Sequence, residues 1–481
     1  MDDKPATLSM NSSDLKAPEE YDLLILGSGE GGKYLAWTMA AKGIRVALVE
    51  REYIGGACPN IACLPTKNVI HSAKVASYLQ RADEFGIRVG PFTVDMVGVR
   101  ERKRKMVREL VAIHVNNFNT SGAELVMGTG TFIGPKTLRV EMNDGSVRTL
   151  RGDKVVIGTG TKATLPNIPG LAESMPLTHV GALELDHLPE HLIVLGGGFI
   201  CLEFAQAMCR FGSKVTVIDR NKRLAHSEDE DVSAALEQLC QDDAIELLLN
   251  AQVSRVSGLS GDSVVVSVKQ GDREFEVAGT DILVAAGRTP STAGLGLETT
   301  GVELTSKGYL QVDETLETTA KGIYGIGESA GSPQFTHISF DDFRVIRDNL
   351  LGERKTTTGR QVPFCMFTDP ELARIGLNEV EAKAQGIAYK VFKVPMAADL
   401  RTRTLSETRG FMKALVDPVT DRLLGFTVFG VDGGEIMGSM QIAMLGQLPY
   451  TAIRDAVLTH PTLLEGLIVL FSTKPRVVEA I

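Results

Sequence analysis

The sequence predicts an α/β protein made of two repeated strand–turn–helix–strand units, followed by a C-terminal α+β domain. Three observations predict it. Two apolar strands each run straight into a glycine-rich turn, over residues 21–32 and 191–201. Each turn opens a helix that leads to a second strand ending in an acid, Glu50 or Asp219. Beyond about residue 349, short apolar strands such as 411–416 and 423–429 alternate with helical runs, the pattern of an α+β domain.

At 481 residues the chain has room for about three domains. Hydrophobic residues at 43% and charged residues at 23% suit a globular protein with a full core. A net charge of -10 argues against nucleic acid as the main partner. No apolar stretch approaches the roughly 18 residues of a membrane span. Residues 1–20 are polar, with no apolar core after a basic start. They predict a short disordered arm and no secretory signal, and so a cytoplasmic protein.

Residues 21–26, YDLLIL, read as a buried parallel strand, and Gly27-Ser28-Gly29-Glu30-Gly31-Gly32 follows at once. Residues 33–42 continue as a helix, and 45–49 as a strand ending at Glu50. In such a Rossmann-like unit Gly27 permits the tight turn, Gly29 lets backbone approach a pyrophosphate, and Gly32 permits close helix packing. The helix N-terminus faces the phosphate charge. Glu50 stands where a carboxylate bonds a ribose hydroxyl pair.

The pattern recurs. Residues 191–195, HLIVL, precede Gly196-Gly197-Gly198-Phe199-Ile200-Cys201, a helix over 202–211, and a strand over 214–218 ending at Asp219. Cys201, still small, replaces the third glycine. Asp219 favours the free 2′-hydroxyl of NADH, while Arg220, Lys222 and Arg223 suit the 2′-phosphate of NADPH, so both stay open. Two units imply two dinucleotides, a bound flavin (FAD) and a diffusing nicotinamide. Residues 154–160, KVVIGTG, and 281–288, DILVAAGR, each end a short strand in glycine. They place Thr159, Gly160 and Gly287 at crossings between the two domains. Residues 322–328, GIYGIGE, form a further strand–turn with Glu328 set to reach the ribityl chain. The expected domains are 21–165 with 280–348 for the flavin, 166–279 for the nicotinamide, and 349–481 for the C-terminal domain.

Of six cysteines, Cys201, Cys209, Cys240 and Cys365 are scattered singly and read as buried structural thiols. Cys58 and Cys63 sit together in Gly55-Gly56-Ala57-Cys58-Pro59-Asn60-Ile61-Ala62-Cys63-Leu64-Pro65-Thr66-Lys67. At a helix start this spacing and Pro59 can bring the sulfurs together, and free N–H groups there favour thiolate. Thiolate serves disulfide exchange, metal capture or exchange of electrons with a flavin. The bland alternative is two inert core cysteines. A structural zinc site wants four ligands, and no second pair with ligand spacing exists. No structural metal is expected.

This segment resembles the active-site signature of the flavoprotein disulfide reductases, the class I pyridine nucleotide-disulfide oxidoreductases. The resemblance runs from about Tyr21 to Ser472. It includes both dinucleotide units, the GIYGIGE segment and a closing motif, His460-Pro461-Thr462-Leu463-Leu464-Glu465. It implies a homodimer in which His460, oriented by Glu465, is the acid/base at the other subunit's cysteine pair. It also implies Cys63 as the flavin-proximal sulfur, Cys58 as the interchange sulfur, and Lys67 with Glu203 as an ion pair beside the flavin. Phe199 stands where many relatives carry a gating tyrosine, Ala62 replaces a frequent glycine, and Glu328 a frequent aspartate.

Residues 334–344, QFTHISFDDFR, then 362–364 and 401–410 look most like the mercuric-reductase-like branch. Within it they most resemble the bacterial copper(II) reductases of reactive-chlorine resistance. Residues 472–481 lack the vicinal cysteine pair of mercuric reductases proper, and residues 1–20 lack a metal-binding pair, which speaks against efficient mercury detoxification. The leading expectation is electron transfer from NAD(P)H through FAD and Cys58–Cys63 to a soft metal ion, held transiently at the two cysteines, or to a disulfide. Dihydrolipoamide dehydrogenase is the second reading. A flavoprotein redox sensor without turnover is the third.

Overall fold

The computed structural model describes residues 17–479, so the arm expected over 1–20 lies mostly outside the described residues. Its last two positions do not belong to an arm. The first strand is Glu19–Leu26, because Glu19 and Glu20 pair with Leu150 and Arg151 of the strand Val147–Ile157. Arg148 also takes both carboxylate oxygens of Glu19, at 2.9 and 2.7 Å.

The chain forms two compact units. The first holds the described residues to Asn60, then 108–162 and 289–358. Its sheet centres on Glu19–Leu26, parallel to Val46–Glu50 on one side and to Val147–Ile157 on the other. Ile323–Gly325 extends it beyond Val147–Ile157. The central strand alternates. Leu23 and Ile25 pack with Leu35, Ala36 and Met39 of the helix Glu30–Ala40. Leu24 and Leu26 face Val126, Leu138 and Val155. Burial of both faces explains the unbroken apolar run of this strand.

The second unit holds 61–107, 163–288 and the described residues from Gly359. Four parallel strands lie in the order Asp281–Val284, His191–Leu195, Lys214–Asp219, Glu246–Leu249. The second sheet thus reaches Val284, past the boundary expected near 280, since Asp281–Val284 pairs with His191–Leu195 residue by residue. Likewise the helix Thr336–Leu350 and residues to Thr358 stay with the first unit. One sheet face packs on the helix Phe199–Phe211 and on Val69, Ala73 and Ala76 of the helix Cys63–Gln80. The other packs on a three-stranded antiparallel sheet through Val256, Val264 and Val266.

The C-terminal part is a six-stranded sheet, antiparallel at every pairing. Buried charge ties it to the start of the helix Glu230–Asp242. Lys413, wholly buried, reaches Asp229 at 2.7 Å and Asp231 at 2.8 Å. Arg374 holds Glu228 at 3.0 Å. A buried charge is tolerable only when paired this way. No helix among the described residues is long and apolar enough to cross a membrane.

Candidate active site

In the first unit the glycine turn is fixed by sterics. Gly27 has φ +103, and a Cβ there would sit 2.4 Å from the Gly158 carbonyl oxygen. A Cβ on Gly32 would meet the Gly27 carbonyl oxygen at 2.2 Å. Above Gly29 the space is open, with only Gly158 O at 3.9 Å. Glu50 is buried, and each of its oxygens is held. The Ser28 N–H and hydroxyl donate to Oε2 at 2.9 and 2.7 Å, and the N–H groups of Glu52 and Tyr53 donate to Oε1 at 2.8 and 3.1 Å. Ser28 Oγ also accepts from the Gly55 N–H at 2.9 Å. A residue inside the glycine turn thereby organises both the acid and the loop leading to Cys58. The sequence reading passed over Ser28, whose only signal is its small size between two glycines.

Thr159 buries its hydroxyl without a hydrogen-bond partner. Gly160, at φ +63, has no neighbour within 4 Å of a would-be Cβ. The Thr161 hydroxyl donates to Glu328. An unmet hydroxyl, an open approach over Gly29 and a fixed acid fit a dinucleotide.

The second unit repeats this plan. Gly196 has φ +126, and its Cβ would meet Ala285 O at 2.5 Å, while nothing lies within 4 Å of a Cβ on Gly198. Gly287, at φ +114, is nearly as open. Asp219 is buried and accepts from the Asn221 backbone and side-chain N–H at 3.2 and 3.1 Å. Arg220 is exposed. Cys201, in place of the third glycine, fills its space and points its thiol at the Gly196 carbonyl, 2.8 Å away. Burial pushes this thiol up, as it does Cys209, Cys365 and Cys240, the last to about 12. Four protonated thiols suit structural roles.

Lys67 and Glu203 meet in this unit. Lys67 Nζ donates to both Glu203 oxygens at 3.0 and 2.8 Å and lies 4.7 Å from the Phe367 ring centre. Glu203 also accepts the Phe367 N–H at 2.8 Å. The pair joins the cysteine helix Cys63–Gln80 to the helix Phe199–Phe211. Phe199 rests on Phe364, ring centres 5.2 Å apart, so a residue noted only as a branch marker backs the expected nicotinamide lid. For Glu203→Gln, which leaves Lys67 without its counter-charge, we expect a stability loss of about 1–3 kcal/mol and a slower reduction by NAD(P)H, read by thermal melting and stopped flow.

Cys58 lies in a short helix, Ala57–Asn60, of the first unit, and Cys63 begins the 18-residue helix of the second. The chain passes from one unit to the other between the two cysteines. Near the C-terminus His460 Nδ1 and Glu465 Oε2 are 2.8 Å apart. His460 is 61% exposed and Glu465 28%. With Nδ1 engaged, Nε2 is the nitrogen left to exchange a proton. A cavity of about 680 Å³ opens beside this motif, lined by Arg401, Asp432, Glu435, Ser439, Pro461 and Thr462. Among the described residues no cluster of three or more His, Cys, Asp or Glu is placed to hold a metal ion.

Comparison with known proteins decides the family. The profile of the pyridine nucleotide-disulphide oxidoreductases matches residues 21–342, and that of their dimerisation domain residues 362–469. The chain belongs to this family. It is a flavin-dependent oxidoreductase of the class that uses FAD and NAD(P)H. This pyridine nucleotide-disulphide oxidoreductase is 36% identical to the probable pyridine nucleotide-disulfide oxidoreductase RclA of Escherichia coli, over 94% of this chain and 99% of the relative. It is 30% identical to the mercuric reductase of Staphylococcus aureus, over 95% and 83%. It is 32% identical to the dihydrolipoyl dehydrogenase of Thermus scotoductus, over 93% and 96%. A solved structure of RclA, the HOCl-induced flavoprotein disulfide reductase of E. coli, in complex with Cu(II) superposes with a TM-score of 0.86, covering 94% and 99% of the two chains.

Proposed function

We propose that this oxidoreductase passes electrons from NAD(P)H, by way of a redox-active Cys58–Cys63 disulfide, to a soft metal ion, Cu(II) or Hg(II), or to a disulfide. The reading rests on one observation above all. Identity to RclA, a protein with a solved Cu(II) complex, stands at 36%, above the 30% and 32% shared with a mercuric reductase and a dihydrolipoyl dehydrogenase.

Gly27, Gly29, Gly32, Glu50, Thr159, Gly160 and Glu328 hold the FAD, and Gly196, Gly198, Phe199, Asp219, Arg220 and Gly287 the nicotinamide. Bound FAD supplies the two-electron relay between NAD(P)H and the cysteines. One NAD(P)H and one proton then reduce one Cys58–Cys63 disulfide to two thiols. Return of that dithiol to the disulfide releases two electrons and two protons, enough to take two Cu(II) to Cu(I) or one Hg(II) to Hg(0). Cys58, the interchange sulfur, meets the acceptor, and thiolates favour these ions by softness. Lys67 and Glu203 serve as a fixed ion pair at the nicotinamide side. The enzyme works as a cytoplasmic homodimer, with His460 and Glu465 of each copy serving the cysteines of the other. A neutral imidazole suits proton exchange with a thiol near neutral pH.

The test is anaerobic oxidation of NADH and of NADPH by the purified flavoprotein, with Cu(II), Hg(II) and lipoamide as separate acceptors. Faster turnover with a metal ion is expected. Lipoamide turnover that outpaces both metals would overturn the metal reading in favour of a dihydrolipoamide dehydrogenase, and binding without turnover would make it a sensor.

A further inference from the structure

Asp399 has two oxygens in different situations. Oδ1 accepts the Arg401 N–H at 2.8 Å and so caps the helix Leu400–Leu405. A serine or asparagine does that equally well. Oδ2 is buried, in a residue only 2% exposed, and makes no hydrogen bond of ordinary geometry, the donor that faces the carboxyl being the Gly466 backbone N–H. A buried carboxylate oxygen so poorly satisfied is rare and asks for a reason.

The surroundings supply one. A Cβ on Gly466 would lie 2.5 Å from this Oδ2, so Asp399 abuts the residue that follows Glu465. Burial pushes the Asp399 carboxyl up, helped by the negative charge of Glu465. Glu465 in turn holds His460 Nδ1 at 2.8 Å. The cavity beside the motif is walled by both segments, with Arg401 on the capped helix and Pro461 and Thr462 following the histidine.

We propose that Asp399 is a positioning residue for His460: its carboxylate braces the Glu465–Gly466 joint, so that Glu465 keeps its hydrogen bond to the imidazole. The inference rests on the reading of His460 as the acid/base. Asp399 touches no substrate. It acts by holding the backbone on which Glu465 stands.

Asp399→Ser and Asp399→Asn keep the cap and remove the charge. In the full-length holoenzyme, kcat with a disulfide acceptor is expected to fall about tenfold, part of the 10²–10⁴ that general acid–base catalysis supplies. KM for NAD(P)H and the stopped-flow rate of reduction by NAD(P)H should stay unchanged, as should the thermal midpoint of Asp399→Asn. The double variants with His460→Ala should be no slower than His460→Ala alone. Wild-type turnover in both single variants overturns the inference and leaves Asp399 a plain helix cap. So does a further loss on top of His460→Ala. If His460→Ala by itself leaves turnover intact, the acid/base reading falls, and that is seen without any change at Asp399.

Discussion

Cys63→Ser is expected to abolish acceptor reduction, by about a thousandfold or more, while the protein stays yellow. The argument begins with position. Cys63 is the first residue of an 18-residue helix whose N-cap, Ala62, offers no side-chain hydrogen bond. Its sulfur stands at a helix N-terminus, the end whose dipole favours negative charge. A serine hydroxyl does not ionise near neutral pH and forms no disulfide with Cys58, so both the relay and its proton chemistry stop there. Gly27, Gly29, Gly32, Glu50 and Thr159, the residues proposed to hold the flavin, lie in the other unit, so flavin content should stay stoichiometric. Reduction by NAD(P)H should persist, because Lys67, Glu203 and Phe199 are untouched. Flavin content by absorbance, anaerobic stopped flow and steady-state turnover separate these steps. Full turnover in Cys63→Ser would remove the cysteine pair from the reaction.

What the sequence made legible follows from how local each signal is. Strand, glycine turn, helix and acid are neighbours in the chain, and sterics alone demand glycine at Gly27 and Gly196. Both units could therefore be placed, and with them Glu50 and Asp219. His460 and Glu465 sit five residues apart and meet in space. Lys67 and Glu203 are 136 residues apart. Nothing in a single sequence pairs them, and only the family resemblance did. The residues passed over do their work at long range or by size alone. Ser28 reaches across to Glu50 and Gly55, and Phe364 lies under Phe199. Asp399 belongs to no local pattern, since its poorly satisfied oxygen exists only once Gly466 has packed against it. The strand start at Glu19 was hidden for a related reason. Two acidic residues look like solvent-exposed arm until the Arg148 that holds Glu19 is seen on the neighbouring strand.

His460→Ala is expected to slow turnover with a disulfide acceptor by about 10²–10⁴, the usual span for loss of a general acid–base group. The same variant should lose much less with Cu(II) or Hg(II). The difference comes from where the protons go. Disulfide exchange makes a thiolate leaving group that needs a proton, and imidazole Nε2, with Nδ1 tied to Glu465, is its donor on the proposed acid/base reading. A metal ion bound by two thiolates takes electrons without needing that proton. Glu465→Gln, which keeps an acceptor for Nδ1 but removes its charge, should fall between wild type and His460→Ala on the disulfide side and match wild type on the metal side. Reduction by NAD(P)H should be the same in all three proteins, because the nicotinamide-side residues are unaltered. The ratio of disulfide to metal turnover is then the measurement to make. If His460→Ala lowers both equally, the histidine acts on something common to both acceptors, and the division of labour between proton and electron transfer drawn from the His460–Glu465 pair is wrong.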